Sequence, residues 1–280
     1  MRELDKREKM RKTRNIFRKE LKTNRRYLIF TVIAIFFIFW TTHYEGQEDY
    51  LTVLLPRARQ EIPSAEALAE ISGWNAKGLE LYNGHTRWLA SQGKIHICIP
   101  PLKNITVNEE SNTGGRFWDK IDGHLNWEKN TFAIFQKYVT KETIVIDFGA
   151  WIGPTILYHA QLSKRSYGME ADPVAYATLE SNVKLNPQLP ITIVPACVSN
   201  PQDAGIVKMK GVPGNSMSGM TDKKAWHAKV GRHATATWKV QCYTLPTLMD
   251  GWRINLEAQP VLIKIDIESY ECKLFPSFYD

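Results

Sequence analysis

The chain holds 280 residues, 44% of them hydrophobic and 23% charged, an ordinary globular composition with room for one large or two small domains. Its net charge of +7 is uneven: residues 1–26 carry twelve Lys/Arg and four Asp/Glu, a local +8, while the remainder carries 24 against 25, a local −1. The high pI therefore belongs to a tail and does not argue for an acidic or nucleic-acid ligand on the folded part. Four cysteines (Cys98, Cys197, Cys242, Cys272) lie far apart without Cys-x-x-Cys or nearby paired His, which argues against a zinc site and a dense disulfide framework. They read as buried free thiols, with one disulfide the alternative in an oxidising compartment.

Residues 1–26 show no continuous apolar face and read as a solvated tail or one lying on an acidic membrane surface; the alternative is nucleic-acid binding. Residues 27–40 (YLIFTVIAIFFIFW) contain no charge, and Thr41 to Tyr44 extend the run to eighteen, roughly 27 Å as a helix. A cleaved signal peptide and a core helix compete with a single-pass anchor here. The long charged lead, the missing small-x-small cleavage site and the apolar character of every face favour the anchor, which also disfavours nucleic acid as partner. The basic tail before it, with Glu45, Glu48 and Asp49 after it, orients the N-terminus to the cytoplasm and the rest to a lumen or the exterior, a secretory compartment such as ER or Golgi. In that orientation Asn104-Ile105-Thr106 fits the N-glycosylation pattern.

Residues 45–124 read as a stalk and lead-in: a helix over 64–71 with a capping-box start, a short strand over 94–99 and a loop over 103–116. An amphipathic helix follows over 126–139, beside the first strand of a domain covering 125–280.

The most informative stretch is Thr143-Ile-Val-Ile-Asp-Phe-Gly-Ala-Trp-Ile-Gly153. A β-branched run ends in an acid, two glycines stand four apart, and Pro154 opens an apolar-periodic segment to residue 162: strand, tight turn, helix. Gly149 lets backbone approach a ligand, and the helix start presents free N–H groups. A second strand over 167–169 ends in Glu170, placed to accept both hydroxyls of a ribose. A helix over 174–185, a strand over 191–198, short strands at 206–209 and 237–242, a helix from about Thr244 and a strand over 261–266 complete an alternating βα order. That order predicts an α/β, Rossmann-like doubly wound and mostly parallel sheet with its ligand at the carboxyl ends of the strands, where Asp147, Glu170 and Asp266 all fall. Gly149 and Gly153 lack the close first pair of the Gly-x-Gly-x-x-Gly dinucleotide pattern, so a nucleoside with a compact charged tail, S-adenosylmethionine, fits better than NAD.

Ile146-Asp-Phe-Gly-Ala-Trp-Ile-Gly153, Met169-Glu-Ala-Asp-Pro173, the spaced Asn182 and Asn186, and Ile263-Lys-Ile-Asp-Ile-Glu-Ser-Tyr-Glu271 together resemble the FkbM-type methyltransferases, within the class I S-adenosylmethionine-dependent fold. The resemblance covers roughly residues 125–280 and implies methyl transfer mainly to oxygen, on glycans or polyketide-like small molecules. It implies that Asp147, Gly149 and Gly153 line the methionine end of the cofactor, that Glu170 holds the ribose, and that Asp266 and Glu268 face the reacting centre. Asp172 lies near the adenosine or caps the next helix. Trp151 and Ser269 stand where this family more often has Asn and Gly, and the family's fold continues past the point where this chain stops, which reads as a fragment. Asp266 or Glu268 is the base for an acceptor hydroxyl, or the two hold Mg²⁺ against vicinal hydroxyls; the alternative for Glu268 is an acid at a helix start. His159 reads as structural, while residues 211–232, with His227, Trp226 and the Gly214–Gly219 segment, and His233 beyond them, read as a solvated loop or a lid. Trp226 and Trp238 either stack on sugars or belong to the core. A membrane-tethered binding module without turnover and a nicotinamide-dependent oxidoreductase are the rival functions.

Overall fold

The computed structural model describes residues 29–32, 65–99, 102–109, 117–122, 127–216, 218–220, 234–268 and 270–278. In chain order the elements are β1 (Ile29–Val32), α1 (Ala65–Ser72), α2 (Ala76–Ala90), β2 (Lys94–Ile97), β3 (Ile105–Asn108), α3 (Lys129–Tyr138), β4 (Ile144–Phe148), α4 (Pro154–His159) and β5 (Arg165–Met169). There follow α5 (Pro173–Lys184), β6 (Ile191–Val194), β7 (Cys197–Val198), β8 (Gly205–Gly211), β9 (Gly219–Met220), β10 (Ala236–Tyr243), α6 (Leu245–Gly251), β11 (Val261–Ile265) and α7 (Glu271–Leu274).

Five strands in the order β1-β11-β4-β5-β6 form the central sheet, and every neighbouring pair is parallel. The chain moves outward from β4 through β5 to β6, then returns to place β11 on the other side of β4. The order reverses between β4 and β11, which is where an open α/β sheet leaves a crevice at its carboxyl edge. Strand periodicity decides the two faces: Ile144, Ile146 and Phe148 with Val261, Ile263 and Ile265 join Leu248 and Met249 of α6 in one core. Val145 and Leu262 point the opposite way, into a second core with Ile156 and Leu157 of α4 and Tyr176 and Leu179 of α5. The predicted α/β class and parallel sheet are therefore present, with helices on both faces.

Four expectations need correction. Ile29–Val32, expected within a membrane-spanning helix, pair as an edge strand with β11, Ile29 opposite Leu262 and Val32 opposite Ile265. A short apolar run rich in β-branched and aromatic residues fits a strand as well as a helix, and periodicity cannot separate the two. The remainder of 27–44 lies outside the described residues, as does the basic tail, and among the described residues no helix is long and apolar enough to cross a membrane.

The region expected to form a stalk is core. Trp74, Tyr82 and Leu89 of the α1–α2 segment, Ile97, Ile105 and Val107 of the β2–β3 ribbon, and Phe117 and Trp118 are all buried in the same cluster as Phe132, Val145 and Leu157. Residues 65–99, 102–109 and 117–122 thus belong to one body with the domain expected to begin at 125. The strand expected over 191–198 is broken at Pro195, which lacks an N–H for the ladder; β6 ends before it and β7 joins a second sheet of order β7-β10-β8-β9. Finally, Cys197 and Cys242, directly opposite in the β7–β10 register, form a disulfide, while Cys98 and Cys272 are free.

Candidate ligand pocket

The cavity lies at the carboxyl edge of the central sheet, over the reversal between β4 and β11. Gly149 and Trp151 come to its wall from the turn after β4, Glu170 from the end of β5, Cys197 from β7, and Asp266 and Glu268 from the segment after β11. The second sheet closes the far side with Met209 and Met220, joined by Ser218 just before β9.

The turn owes its shape to left-handed backbone at alternate residues: φ is +79° at Gly149, +50° at Trp151 and +102° at Gly153. Glycine is required at 149, where a Cβ would collide with the Asp266 carbonyl oxygen. Trp151 carries the strain of a bulky residue at positive φ, a cost usually retained at functional sites, and its indole N–H donates to the Gly214 carbonyl at 3.0 Å. The turn is wrapped onto β5: the N–H groups of Gly149 and Ala150 both donate to the Met169 carbonyl at 3.0 Å, and that of Gly153 donates to the Ala150 carbonyl. The N–H of Trp151 donates to Glu170 Oε2 at 2.8 Å. These four turn donors are therefore spent within the protein, and α4 begins with Pro154, which has no N–H.

The charged groups on the cavity wall are Glu170, Asp266 and Glu268, with the ammonium of Lys264, already paired to Asp147, beside them. Glu170 is half-buried, its Oε1 accepting the Asp172 N–H at 2.8 Å, so both carboxylate oxygens are oriented by backbone while the group still faces the cavity. Burial, reinforced by the nearby Asp172 charge and opposed by those N–H donors, pushes its pKa up to about 7. Glu268, at φ +53°, is likewise pushed up to about 7 by burial and by the neighbouring Asp266 and Glu271 carboxylates, with Lys264 opposing.

The predicted site residues separate into two groups. Gly149, Glu170, Asp266 and Glu268 share the cavity. Asp147 does not line it: fully buried, it receives Lys264 Nζ at 2.8 Å and the Thr155 hydroxyl at 2.5 Å, with His159 Nε2 3.5 Å away. Gly153 caps α4 behind the wall, and Asp172 caps α5 by accepting from Val174 and Ala175. Asp172 also accepts the Gly214 N–H at 3.1 Å and the Ser218 hydroxyl at 2.8 Å, so it fixes Ser218 on the cavity wall without lining the cavity itself. His159, bonded to Ser166 and buried beside Asp147, is structural as expected. Trp238 is core, its indole donating to the Ala171 carbonyl, while Trp226, His227 and His233 lie outside the described residues. Among the described residues no group of three or more His, Cys, Asp or Glu side chains is placed to hold a metal ion.

Lys264 is the participant that sequence reasoning passed over. Its Nζ also donates to the Gly149 carbonyl at 3.0 Å and lies 3.8 Å from Asp266. Burial pulls this ammonium down, but Asp147 and Asp266 outweigh it and hold the pKa above the ordinary value. A lone lysine inside the apolar strand Val-Leu-Ile-Lys-Ile is the available signal, since a buried cation requires an acid opposite. Trp127, half-buried on the cavity wall against Phe117 at 5.2 Å, carries no comparable signal.

No family model matches the chain, and no curated protein sequence matches it. Among solved structures, "Crystal structure of WT Trm5b from Pyrococcus abyssi" aligns over 40% of this chain and 34% of its own length, with 14% identity and a TM-score of 0.27. At that level of likeness the function has to be argued from the pocket.

Proposed function

We propose that the pocket binds S-adenosylmethionine and that the protein transfers its methyl group to a hydroxyl of a carbohydrate or small molecule, as an FkbM-like methyltransferase. The observation that carries this is the polarity of the rim. The N–H groups of Gly149, Ala150, Trp151 and Gly153 are bonded within the protein, so a pyrophosphate finds no cradle in them, whereas three carboxylates, Glu170, Asp266 and Glu268, face one cavity. Carboxylates accept hydroxyl protons and attract cations, which is what a ribose diol and a sulfonium or ammonium tail present.

When bound, the cofactor supplies a methyl group already activated for in-line displacement. The chain's own residues orient and deprotonate. Glu170 takes the ribose hydroxyls at a position fixed by the Trp151 and Asp172 N–H groups. Lys264 anchors the Gly149 turn and faces Asp266. Glu268, its pKa pushed up to about 7, accepts the acceptor's proton.

Calorimetry on the full chain with S-adenosylmethionine and with NAD tests the cofactor: binding of the former alone is expected, and binding of NAD alone overturns the reading. Glu170→Ala should weaken S-adenosylmethionine at least tenfold, about 1.4 kcal/mol. Methyl transfer to a panel of glycans and alcohols then separates an enzyme from a silent binding module.

A further inference from the structure

We infer that Asn104 is an N-glycosylation site and that the protein folds in an oxidising, glycosylating compartment. Asn104-Ile105-Thr106 is the one Asn-x-Ser/Thr triplet in the 280 residues. The structure adds what a triplet alone lacks. Asn104 is exposed immediately before β3 and has no hydrogen-bond partner among the described residues. The next residues are rigidly held: Ile105 is 2% exposed in the core, and Thr106 exchanges bonds with Asn186, its N–H donating to Oδ1 at 2.9 Å and its carbonyl accepting from Nδ2 at 2.6 Å. A saccharide on Asn104 therefore projects from the end of a fixed ribbon without disturbing packing. None of the described residues of the β2–β3 ribbon lines the ligand cavity, so the glycan leaves the pocket open.

The compartment follows from a separate observation. Cys197 and Cys242 are bonded across neighbouring strands, and structural disulfides of this kind persist in the secretory pathway and not in a reducing cytosol. The same compartment holds the donor for the modification, a lipid-diphosphate-linked oligosaccharide. The Asn104 amide nitrogen forms a bond to the sugar's anomeric carbon and loses one proton, and the lipid diphosphate departs with the electron pair of the broken C–O bond.

The test uses the full chain expressed in a eukaryotic cell with an intact secretory pathway. A peptide N-glycosidase is expected to raise mobility by a single step in the wild type. Asn104→Gln and Thr106→Ala should run at the deglycosylated position without treatment, and Thr106→Ser, which keeps the triplet, should retain the shift. Alkylation under denaturing, non-reducing conditions should label two thiols, Cys98 and Cys272. An unshifted wild type, or a shift surviving in Asn104→Gln, overturns the site; labelling of all four cysteines before reduction overturns the compartment.

Discussion

Asp147 and Lys264 stand directly opposite one another in the register of β4 and β11, joined at 2.8 Å where neither side chain meets solvent. Burial alone raises the Asp147 carboxyl, but Lys264 and His159 overcome it and hold the pKa below the ordinary value. The pair links the two strands whose ends form the pocket floor. Breaking one partner leaves an uncompensated buried charge. Lys264→Met should cost about 3–5 kcal/mol, whereas Asp147→Leu/Lys264→Met should recover much of that loss while leaving the Thr155 hydroxyl and the Gly149 carbonyl without these partners. Urea denaturation of the three proteins measures it; a double variant no more stable than Lys264→Met contradicts the account.

Glu170 and Glu268 make stability fall as pH rises. An unfolded glutamate releases its proton near 4.5, but both groups hold theirs to about 7 in the fold. Between those values the folded state binds more protons, so stability declines from pH ~4.5 to ~7 and levels off above. Glu170→Gln and Glu268→Gln should each flatten the decline in melting temperature. Affinity for S-adenosylmethionine should move oppositely, rising about tenfold from pH 6 to 8 if the ligand takes the ionised Glu170 carboxylate. A pH-independent affinity removes Glu170 from the cofactor's contacts.

Two glycines predict opposite outcomes. Gly149→Ala combines φ +79° with a Cβ driven into the Asp266 carbonyl oxygen, so it should cost more than about 2 kcal/mol and abolish ligand binding. Gly84, inside α2 with nothing within 4 Å of an added methyl, should gain about 0.5–1 kcal/mol on replacement by Ala. Thermal melts of both variants give the comparison, and equal effects would count against the strained turn.

The β1–β11 pairing predicts slow amide exchange for the hydrogen-bonded positions of Ile29–Val32 and of β11. Hydrogen exchange by mass spectrometry on the full chain reads it. Removal of residues 1–44 should expose the edge of β11 and raise its exchange, and free exchange at 29–32 in the full chain would dismiss the strand.

Much of the central sheet is legible in the sequence because β4, β6 and β11 are short β-branched runs and its helices begin at a proline or a capping side chain. Val261–Ile265, Ile144–Phe148 and Pro173–Lys184 fall where periodicity and capping place them. The segments before 125 are harder, since their aromatic anchors Trp74, Tyr82 and Trp118 lie in sequence without strong alternation and become core only by meeting α3, α4 and α5. The 29–32 run misleads because a short apolar, β-branched segment suits a strand as well as a helix, and only its pairing with β11 separates the two.

By itself the sequence determined the local grammar of this protein: the glycine turn at 149, the acids at the strand ends, and the helix start after Pro173, each decided by backbone sterics and hydrogen bonding among near neighbours. Only the tertiary structure decided which acids face a ligand. Asp147 turned inward because Lys264, 117 positions away, lies opposite it on the neighbouring strand, while Glu170 stayed at the cavity because its partners are the backbone N–H groups of a turn folded over β5. The difference is one of range: a charge buried by a distant partner leaves no mark on its own neighbours in the chain.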